Sequence, residues 1–292
     1  MFNTLKDRLI TWVTQYPVPH HLCSKGMHAL TRCRIKPLKN FLIKRAIKIL
    51  NIDMSIAEQT DINTYENFNA FFTRTLKPGA RPFPSGLNEL GCPVDGAISQ
   101  IGNIKGGKIF QAKNFDFDLT TLLGGCEARA TPFKDGSFTT IYLSPRDYHR
   151  IHMPVKGELL EMVHIPGRLF SVSPRTTANI PGLFARNERV VALFATEHGP
   201  MAMILVGAIF VGSIDTVWGG NVAPRKGSLV RVWDYRNQHK NVKPIILDKG
   251  EEMGRFNMGS TVILLFGKDA INWNESIKAN DPVNMGQLLA ST

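Results

Sequence analysis

Beyond residue 81 the chain consists largely of short runs of β-branched, aliphatic and aromatic residues separated by Gly, Pro and Asn. This spacing is typical of strands joined by turns, because β-branched and aromatic side chains fit a pleated surface and Gly, Pro and Asn adopt turn conformations. We therefore predict a strand-rich core. The runs are Ala97–Ile104, Ser137–Leu143, Arg189–Ala195, Met201–Val211, Ser228–Trp233 and Thr261–Phe266.

One of these runs belongs to a longer uncharged stretch of 14 residues, from Met201 to Ile214. A membrane-spanning helix needs about 20 residues, and Gly207 and Gly212 favour two buried strands instead. The predicted fold is α+β. Amphipathic helices occupy a basic region, residues 1–62, and a strand-rich, mostly antiparallel domain that carries the chemistry follows in residues 63–292.

The charge of the chain is concentrated at its N-terminal end. Residues 1–50 contain ten Lys and Arg residues and one acidic residue, Asp7, so they carry +9 of the net charge of +11. A basic segment interleaved with Phe, Leu, Ile and Trp suits a polyanion, either a nucleic acid or an anionic membrane surface. No nucleic-acid-binding motif accompanies it, so we favour the membrane and expect no nucleic-acid partner.

Two amphipathic helices are predicted in this basic segment. Apolar residues recur at near-helical spacing over residues 2–13, ahead of Pro17 and Pro19, and a second helix is predicted from about Pro37 to Leu50. Two interpretations remain open. The helices either pack on the domain core with their basic faces in water, or lie on a membrane, because an interfacial helix combines an apolar face with flanking Lys and Arg.

Cysteine usage indicates a reducing compartment. Cys23, Cys33, Cys92 and Cys126 are widely spaced and form neither a CxxC nor a Cys/His metal pattern. We interpret them as free thiols and predict no metal site. The apolar run Leu9–Val13 is too short for a secretory signal, so we expect a cytoplasmic location.

Three motifs contain residue types suited to catalysis. Taken singly, each has a structural explanation: an Asp-Gly turn, hydrogen-bonded core histidines, and a turn that enters a strand. The residues are Asp95 in PVDG, His149 and His152 in SPRDYHRIHMP, and Gly259 and Ser260 ahead of the apolar run TVILLF.

The histidine motif predicts a helical turn. Ser144 and Pro145 followed by Asp147 are typical of a capped first turn. If the turn continued, His149 and His152 would share a face, whereas a strand would point them to opposite faces. Two neighbouring imidazoles can carry out two separate proton transfers near neutral pH.

The Gly-Ser pair does not match the GxSxG nucleophile elbow. Because Gly259 has no Cβ, we expect the Ser260 hydroxyl to approach the Gly259 carbonyl in a backbone conformation that most residues resist.

In order and spacing these motifs resemble those of the bacterial-type phosphatidylserine decarboxylases, a pyruvoyl-dependent, self-processing family. The Gly-Ser-Thr sequence at 259–261 resembles the family's self-cleavage motif, and PVDG and SPRDYHRIHMP resemble its aspartate and histidine motifs. The similarity extends from about residue 65 to 266, and more loosely through the N-terminus. Further similar stretches are FFTRTLKPGARP, IPGRLFSV, LFARNERV, GPMAMILVGA and VGSIDTVW.

The resemblance implies that the chain processes itself. It assigns Asp95, His152 and Ser260 to a triad in which His152 takes the Ser260 proton and the hydroxyl attacks the preceding carbonyl. The products would be a β chain of residues 1–259 and an α chain of residues 260–292. The first residue of the α chain would become a pyruvoyl cofactor, with no need for a metal or pyridoxal phosphate.

The resemblance also implies the reaction and the partners. The pyruvoyl group would form a Schiff base with phosphatidylserine, and loss of carbon dioxide would lead to phosphatidylethanolamine, with His149 returning a proton. The β and α chains would form a heterodimer, and two heterodimers would pair. The protein would attach peripherally to the cytoplasmic face of the inner membrane through its basic helices.

Two other functions remain open on the sequence alone. An ordinary hydrolase would use Asp95, His152 and Ser260 on an external substrate and would keep its chain intact. A non-enzymatic membrane adaptor would depend on the basic helices, and its triad would be incidental. Only the pyruvoyl interpretation predicts two chains.

Overall fold

The computed structural model describes residues 4–112, 115–210, 213–225, 227–236 and 243–292. The first residues of the predicted helix at 2–13 and the end of the predicted run at Val211 lie outside the described residues. N-terminal helices are followed by antiparallel sheets, which confirms the predicted α+β fold.

The longest helices lie near the N-terminus. In chain order the helices are α1 (Leu5–Gln15), α2 (His20–Thr31), α3 (Lys36–Leu50), α4 (Phe68–Phe72), α5 (Leu119–Leu122), α6 (Glu127–Ala130), α7 (Pro174–Thr177) and α8 (Leu183–Arg186), with a 3₁₀ turn at Thr131–Phe133. The two predicted helices correspond to α1 and α3. Sequence reasoning missed α2, because it has no side-chain cap and contains Gly26, a poor helix former.

The strands of the described residues all lie after residue 88. They are β1 (Glu89–Gly91), β2 (Gly96–Asn103), β3 (Lys108–Ala112), β4 (Phe115–Asp118), β5 (Ser137–Leu143), β6 (Arg150–His152), β7 (Gly157–Ile165), β8 (Arg189–Thr196), β9 (Gly199–Val206), β10 (Ile214–Thr216), β11 (Gly220–Ala223), β12 (Arg231–Asp234), β13 (Ile246–Leu247), β14 (Glu252–Phe256), β15 (Ser260–Phe266), β16 (Asn272–Trp273), β17 (Pro282–Val283) and β18 (Leu288–Ser291).

The largest sheet has nine strands and places β15 near its middle. Its order is β12-β7-β8-β9-β15-β5-β2-β17, and β13 also pairs with β7. A four-stranded sheet has the order β11-β10-β14-β6, a three-stranded sheet has the order β1-β18-β16, and β3 pairs with β4. Every residue of β15 is buried, as expected of an uncharged apolar strand between two neighbours.

Each predicted run overlaps an observed strand, and one long strand was missed. β7 reads GELLEMVHI, in which two glutamates hide the strand pattern. Glu161 is buried in β7 because Arg129 lies 2.5 Å away and neutralises it. β9 ends at Val206, earlier than predicted.

The N-terminal helices differ in how they pack. α3 packs through Ile43 on a small apolar cluster that includes Ile52, Tyr65 and Phe71. The ammonium of Lys39 is buried with it and donates to the Tyr65 carbonyl at 2.7 Å. This cluster contains residues from both sides of residue 62, Ile52 before it and Tyr65 after it, so α3 packs on both predicted regions. The division of the chain at that point stays a prediction.

α1 leaves much of its apolar surface in water. Leu5 is 89% exposed, Leu9 63% and Trp12 59%. Along the described parts of the chain, none of the helices is both long and apolar enough to cross a bilayer.

Candidate active site

Ser260 is the first residue of β15, and its backbone pairs with Leu143 at the end of β5. Its hydroxyl is fully buried and has no hydrogen-bond partner among the described residues. An unpaired buried polar group lowers stability by about 1–3 kcal/mol. Such a group requires an explanation beyond packing, and a reactive role for the hydroxyl is one.

The backbone just before Ser260 is strained at Met258. Met258 has a φ of +100°, which non-glycine residues rarely adopt and which costs on the order of 1–3 kcal/mol. Gly259 has no positive φ, and a Cβ on it would meet nothing within 4 Å. The unusual conformation that we expected at Gly259 is therefore found one residue earlier.

Asn257 holds the segment that precedes this strain. Its side-chain amide donates to the Ser213 hydroxyl at 2.6 Å and to the Asp215 carboxylate at 3.0 Å. Its side-chain oxygen Oδ1 accepts from the side-chain amide of Asn69 at 2.9 Å. Sequence reasoning missed this role, because the partners come from distant parts of the chain and no local pattern announces them.

His149 is fully buried against Phe72, and the two ring centroids lie 4.1 Å apart. Its Nδ1 lies 2.7 Å from the Asp147 carbonyl oxygen. Because a carbonyl can only accept, Nδ1 carries the proton and Nε2 keeps a free lone pair. Nε2 has no partner among the described residues. Burial lowers the pKa of His149 to about 3, so the ring is neutral at physiological pH.

His152 is also neutral, but both of its nitrogens are engaged. Nδ1 donates to the Gly250 carbonyl at 2.8 Å, and Nε2 lies 3.2 Å from the Tyr148 hydroxyl, from which it accepts. Burial lowers the pKa of His152, and the charge of Asp95 acts weakly in the opposite direction. Tyr148 must move before Nε2 can accept a proton from another group. Sequence reasoning did not single out Tyr148.

The two histidines do not share a helical turn, so that prediction is wrong. The turn forms at Ser144, whose amide donates to the Asp147 carboxylate at 2.7 Å. It ends before Arg150, because β6 is extended and pairs with β14. Sheet pairing overrides the local turn, and His149 and His152 lie in different surroundings.

Asp95 is buried, and Arg81 rather than His152 engages its carboxylate. Arg81 donates from Nε and Nη2 at 2.9 and 2.8 Å, and the Met285 amide donates at 2.7 Å. His152 is close through the main chain, since its amide donates to the Pro93 carbonyl at 2.9 Å. The sequence offered no sign that Arg81 would pair with this aspartate.

The uncut chain therefore brings the predicted residues to one region without joining them. In the described part of the chain, no hydrogen bond links Asp95 to His152 or Ser260 to a histidine. The roles of Asp95, His149, His152 and Ser260 stay predictions. The arrangement requires a local rearrangement before a histidine can take the Ser260 proton.

Two cavities meet beside Ser260. The smaller has a volume of about 210 Å³ and is lined in part by Gly259 and Ser260. The larger has a volume of about 680 Å³ and is lined in part by Arg146 and Asp147. Tyr142 and Val172 line both, so the two cavities are neighbours.

Comparison with known proteins agrees with these motifs. A family model described as phosphatidylserine decarboxylase matches residues 68–291, and a second model, described as PSD, matches residues 10–49. Three similar proteins carry the name phosphatidylserine decarboxylase proenzyme. They come from Bordetella pertussis (54% identity, covering 98% of this chain and 95% of the relative), Stutzerimonas stutzeri (53%, 98% and 95%) and Pseudomonas putida (52%, 98% and 99%).

The matched family model covers more than half of the chain, and the relatives match almost all of it. The three motifs around Asp95, His149 to His152 and Ser260 lie inside the range that the family model matches. The chain therefore belongs to the phosphatidylserine decarboxylase family of enzymes.

Proposed function

We propose that this chain is a proenzyme that cuts itself between Gly259 and Ser260, converts Ser260 into a pyruvoyl group, and then decarboxylates phosphatidylserine to phosphatidylethanolamine. The observation that carries the proposal is the buried, unpaired Ser260 hydroxyl, which lies two residues after the strained Met258. The word proenzyme in the names of the relatives supports a processed product.

The cut itself needs only groups of this chain. The Ser260 hydroxyl loses its proton to His152 and attacks the Gly259 carbonyl carbon, which exchanges the peptide bond for an ester. Removal of the Ser260 α-proton then expels the Gly259 carboxylate and leaves a dehydroalanine. Its imine tautomer takes up water and releases ammonia. Breaking the chain at this point also frees Met258 from its strained φ.

The surroundings of Ser260 fit the group that would form there. The pyruvoyl group supplies an electrophilic ketone, conjugated to a carbonyl that accepts the electron pair left when carbon dioxide departs. The two neighbouring cavities offer room for the lipid head group beside this position. His149 offers a buried Nε2 with a free lone pair, which can take up a proton and then return it to the former Cα.

The lipid substrate gives the basic N-terminus a role. A diacyl lipid stays in the bilayer, so the enzyme has to hold its cavity at the membrane surface. The exposed Leu5, Leu9 and Trp12 of α1, within the basic segment, have the composition of an interfacial helix. We propose peripheral attachment to the cytoplasmic leaflet of the inner membrane, where anionic lipids attract Lys and Arg.

Denaturing mass spectrometry of the purified protein tests the proposal. We expect two chains, with the smaller one starting at position 260 and blocked at its N-terminus. Ser260→Ala should give one uncut chain, because the attacking hydroxyl is gone. An ordinary hydrolase would instead be recovered as a single chain with its serine intact.

Thr140 provides a matched control. Its hydroxyl is also buried and unpaired, but it lies in β5 opposite Ile263, away from the cut. Thr140→Val should therefore be processed normally. Recovery of active wild-type protein as one unbroken chain would end the proposal.

A further inference from the structure

A third cavity, with a volume of about 670 Å³, lies between α2 and the sheet domain. It shares no lining residue with the two cavities beside Ser260. The residues that α2 contributes recur every third or fourth position, which places them on one helix face. They are His21, Ser24, Lys25 and His28, and the C-cap residue Arg32 continues the same face.

The positive charges that line this cavity have no ion-pair partner among the described residues. Lys25 and Arg32 are basic side chains, and no carboxylate of the described residues forms an ion pair with either. Asp215 acts on Arg32 only at longer range, and its carboxylate already accepts from Asn257 and Arg255. The cavity therefore lacks a counter-charge of its own.

Arg32 gives the most specific indication of the ligand that this cavity would bind. Its Nη1 is buried and has no hydrogen-bond partner among the described residues. Burial lowers the pKa of Arg32, which reflects a guanidinium held partly out of water. An unpaired buried nitrogen of this kind is stabilised by an anionic oxygen, and guanidinium groups pair especially well with phosphate.

The position of α2 indicates where such a phosphate comes from. Leu22 and Leu30 of α2 are 67% and 40% exposed, and α1 before it exposes Leu9 and Trp12. The cavity is thus built on a helix whose other side, like α1, offers apolar groups to a bilayer. A phosphate carried by a lipid head group can reach this cavity when those side chains enter the membrane surface.

We infer that the cavity lined by Lys25, His28 and Arg32 binds the phosphate group of a membrane phospholipid other than the molecule being decarboxylated. The lipid source rests on the proposed membrane attachment, whereas the anion site rests on the cavity alone. The Ser24 hydroxyl accepts from the Phe210 amide at 3.1 Å, and Phe210 lines the cavity of Ser260. A lipid bound here holds α2 against the segment that borders the reaction site.

Calorimetric titration of the full-length protein with monomeric dioctanoyl phosphatidic acid tests the inference. This lipid has a phosphate but no amine, so it is not a substrate. We expect saturable binding that Lys25→Gln and Arg32→Gln each weaken about tenfold or more, the effect of losing one charge-assisted contact. Lys44→Gln is the matched control, because Lys44 is exposed on α3 outside the cavity and its loss changes the net charge equally.

Each other outcome has a definite meaning. Equal binding by the Lys25→Gln, Arg32→Gln and Lys44→Gln proteins would overturn the site. Equal affinity for inorganic phosphate and for the lipid would overturn the lipid source, and competition with a short-chain phosphatidylserine would place the substrate itself in the cavity. Lys25 is exposed, so Lys25→Gln should keep the circular dichroism spectrum of the parent. Because phosphatidic acid binding requires no processing, failure of self-cleavage leaves this test intact.

Discussion

At the scale of single residues, His152 makes the proposed cut dependent on pH. Burial lowers its pKa below the ordinary value of 6.5, and a general base acts only in its unprotonated form. Because its pKa is lowered, His152 becomes protonated and stops acting as a base only at a more acidic pH. We expect the rate of self-cleavage to be constant around neutral pH and to fall only below pH 6.5. The appearance of two chains after cell-free synthesis at a series of pH values measures this rate.

Substituting each histidine in turn tests whether the two have different roles. His152→Ala should slow the cut by about a hundredfold or more, the usual effect of losing a general base. His149→Ala should still give two chains but should decarboxylate poorly, since the proposal assigns its free Nε2 to turnover. A His152→Ala protein that is cut and active at normal rates would contradict the assignment.

The sequence could point to candidate reactive residues but not to how they are held. Asp95, His149, His152 and Ser260 lie in motifs that are recognisable because together they resemble those of a known family. The partner of Asp95 is Arg81, and nothing within reach of a short motif predicts that contact. Tertiary hydrogen bonds of this kind join segments whose separation along the chain is unrelated to their function.

At the scale of elements, α1 is the helix through which the membrane proposal can be tested. Leu9→Gln together with Trp12→Gln removes apolar side chains that are more than half exposed, so binding to anionic vesicles should weaken while the fold stays intact. Vesicle flotation measures the binding. High salt should weaken attachment of the parent protein only partly, because burial of apolar groups in lipid is insensitive to screening.

Leu87→Gln is the control for this experiment. Leu87 is 79% exposed and lies outside the helices, so its loss should leave vesicle binding unchanged. Removing residues 1–50 altogether is a poorer test, because it takes away Ile43 and exposes the apolar cluster of Ile52, Tyr65 and Phe71. Undiminished flotation of the doubly substituted protein would refute attachment through α1.

Elements were predictable from the sequence where local preference and tertiary environment agree. β15 is apolar throughout and buried throughout, and its bounds differ from the predicted run by one residue. β7 was missed because Glu161 depends on Arg129, and α2 because its helical state depends on packing against the domain. The turn at Ser144 was predicted, but the strand β6 that follows it was not, because the pairing of β6 with β14 is non-local.

At the scale of the whole molecule, the proposed cut leaves both products woven into the same sheets. Residues 260–292 would supply β15, which lies between β5 and β9, as well as β17 beside β2 and β18 beside β1. We expect the two chains to co-elute in gel filtration and to separate only when denaturant unfolds the sheets. Elution of the smaller chain alone in native buffer would contradict this topology.

The strained φ of Met258 and the buried, unpaired Ser260 hydroxyl occur in the folded chain, where β15 pairs with its neighbours. Under the proposed chemistry, a misfolded polypeptide cannot acquire its reactive carbonyl. Under that proposal, only correctly folded molecules would mature into active enzyme.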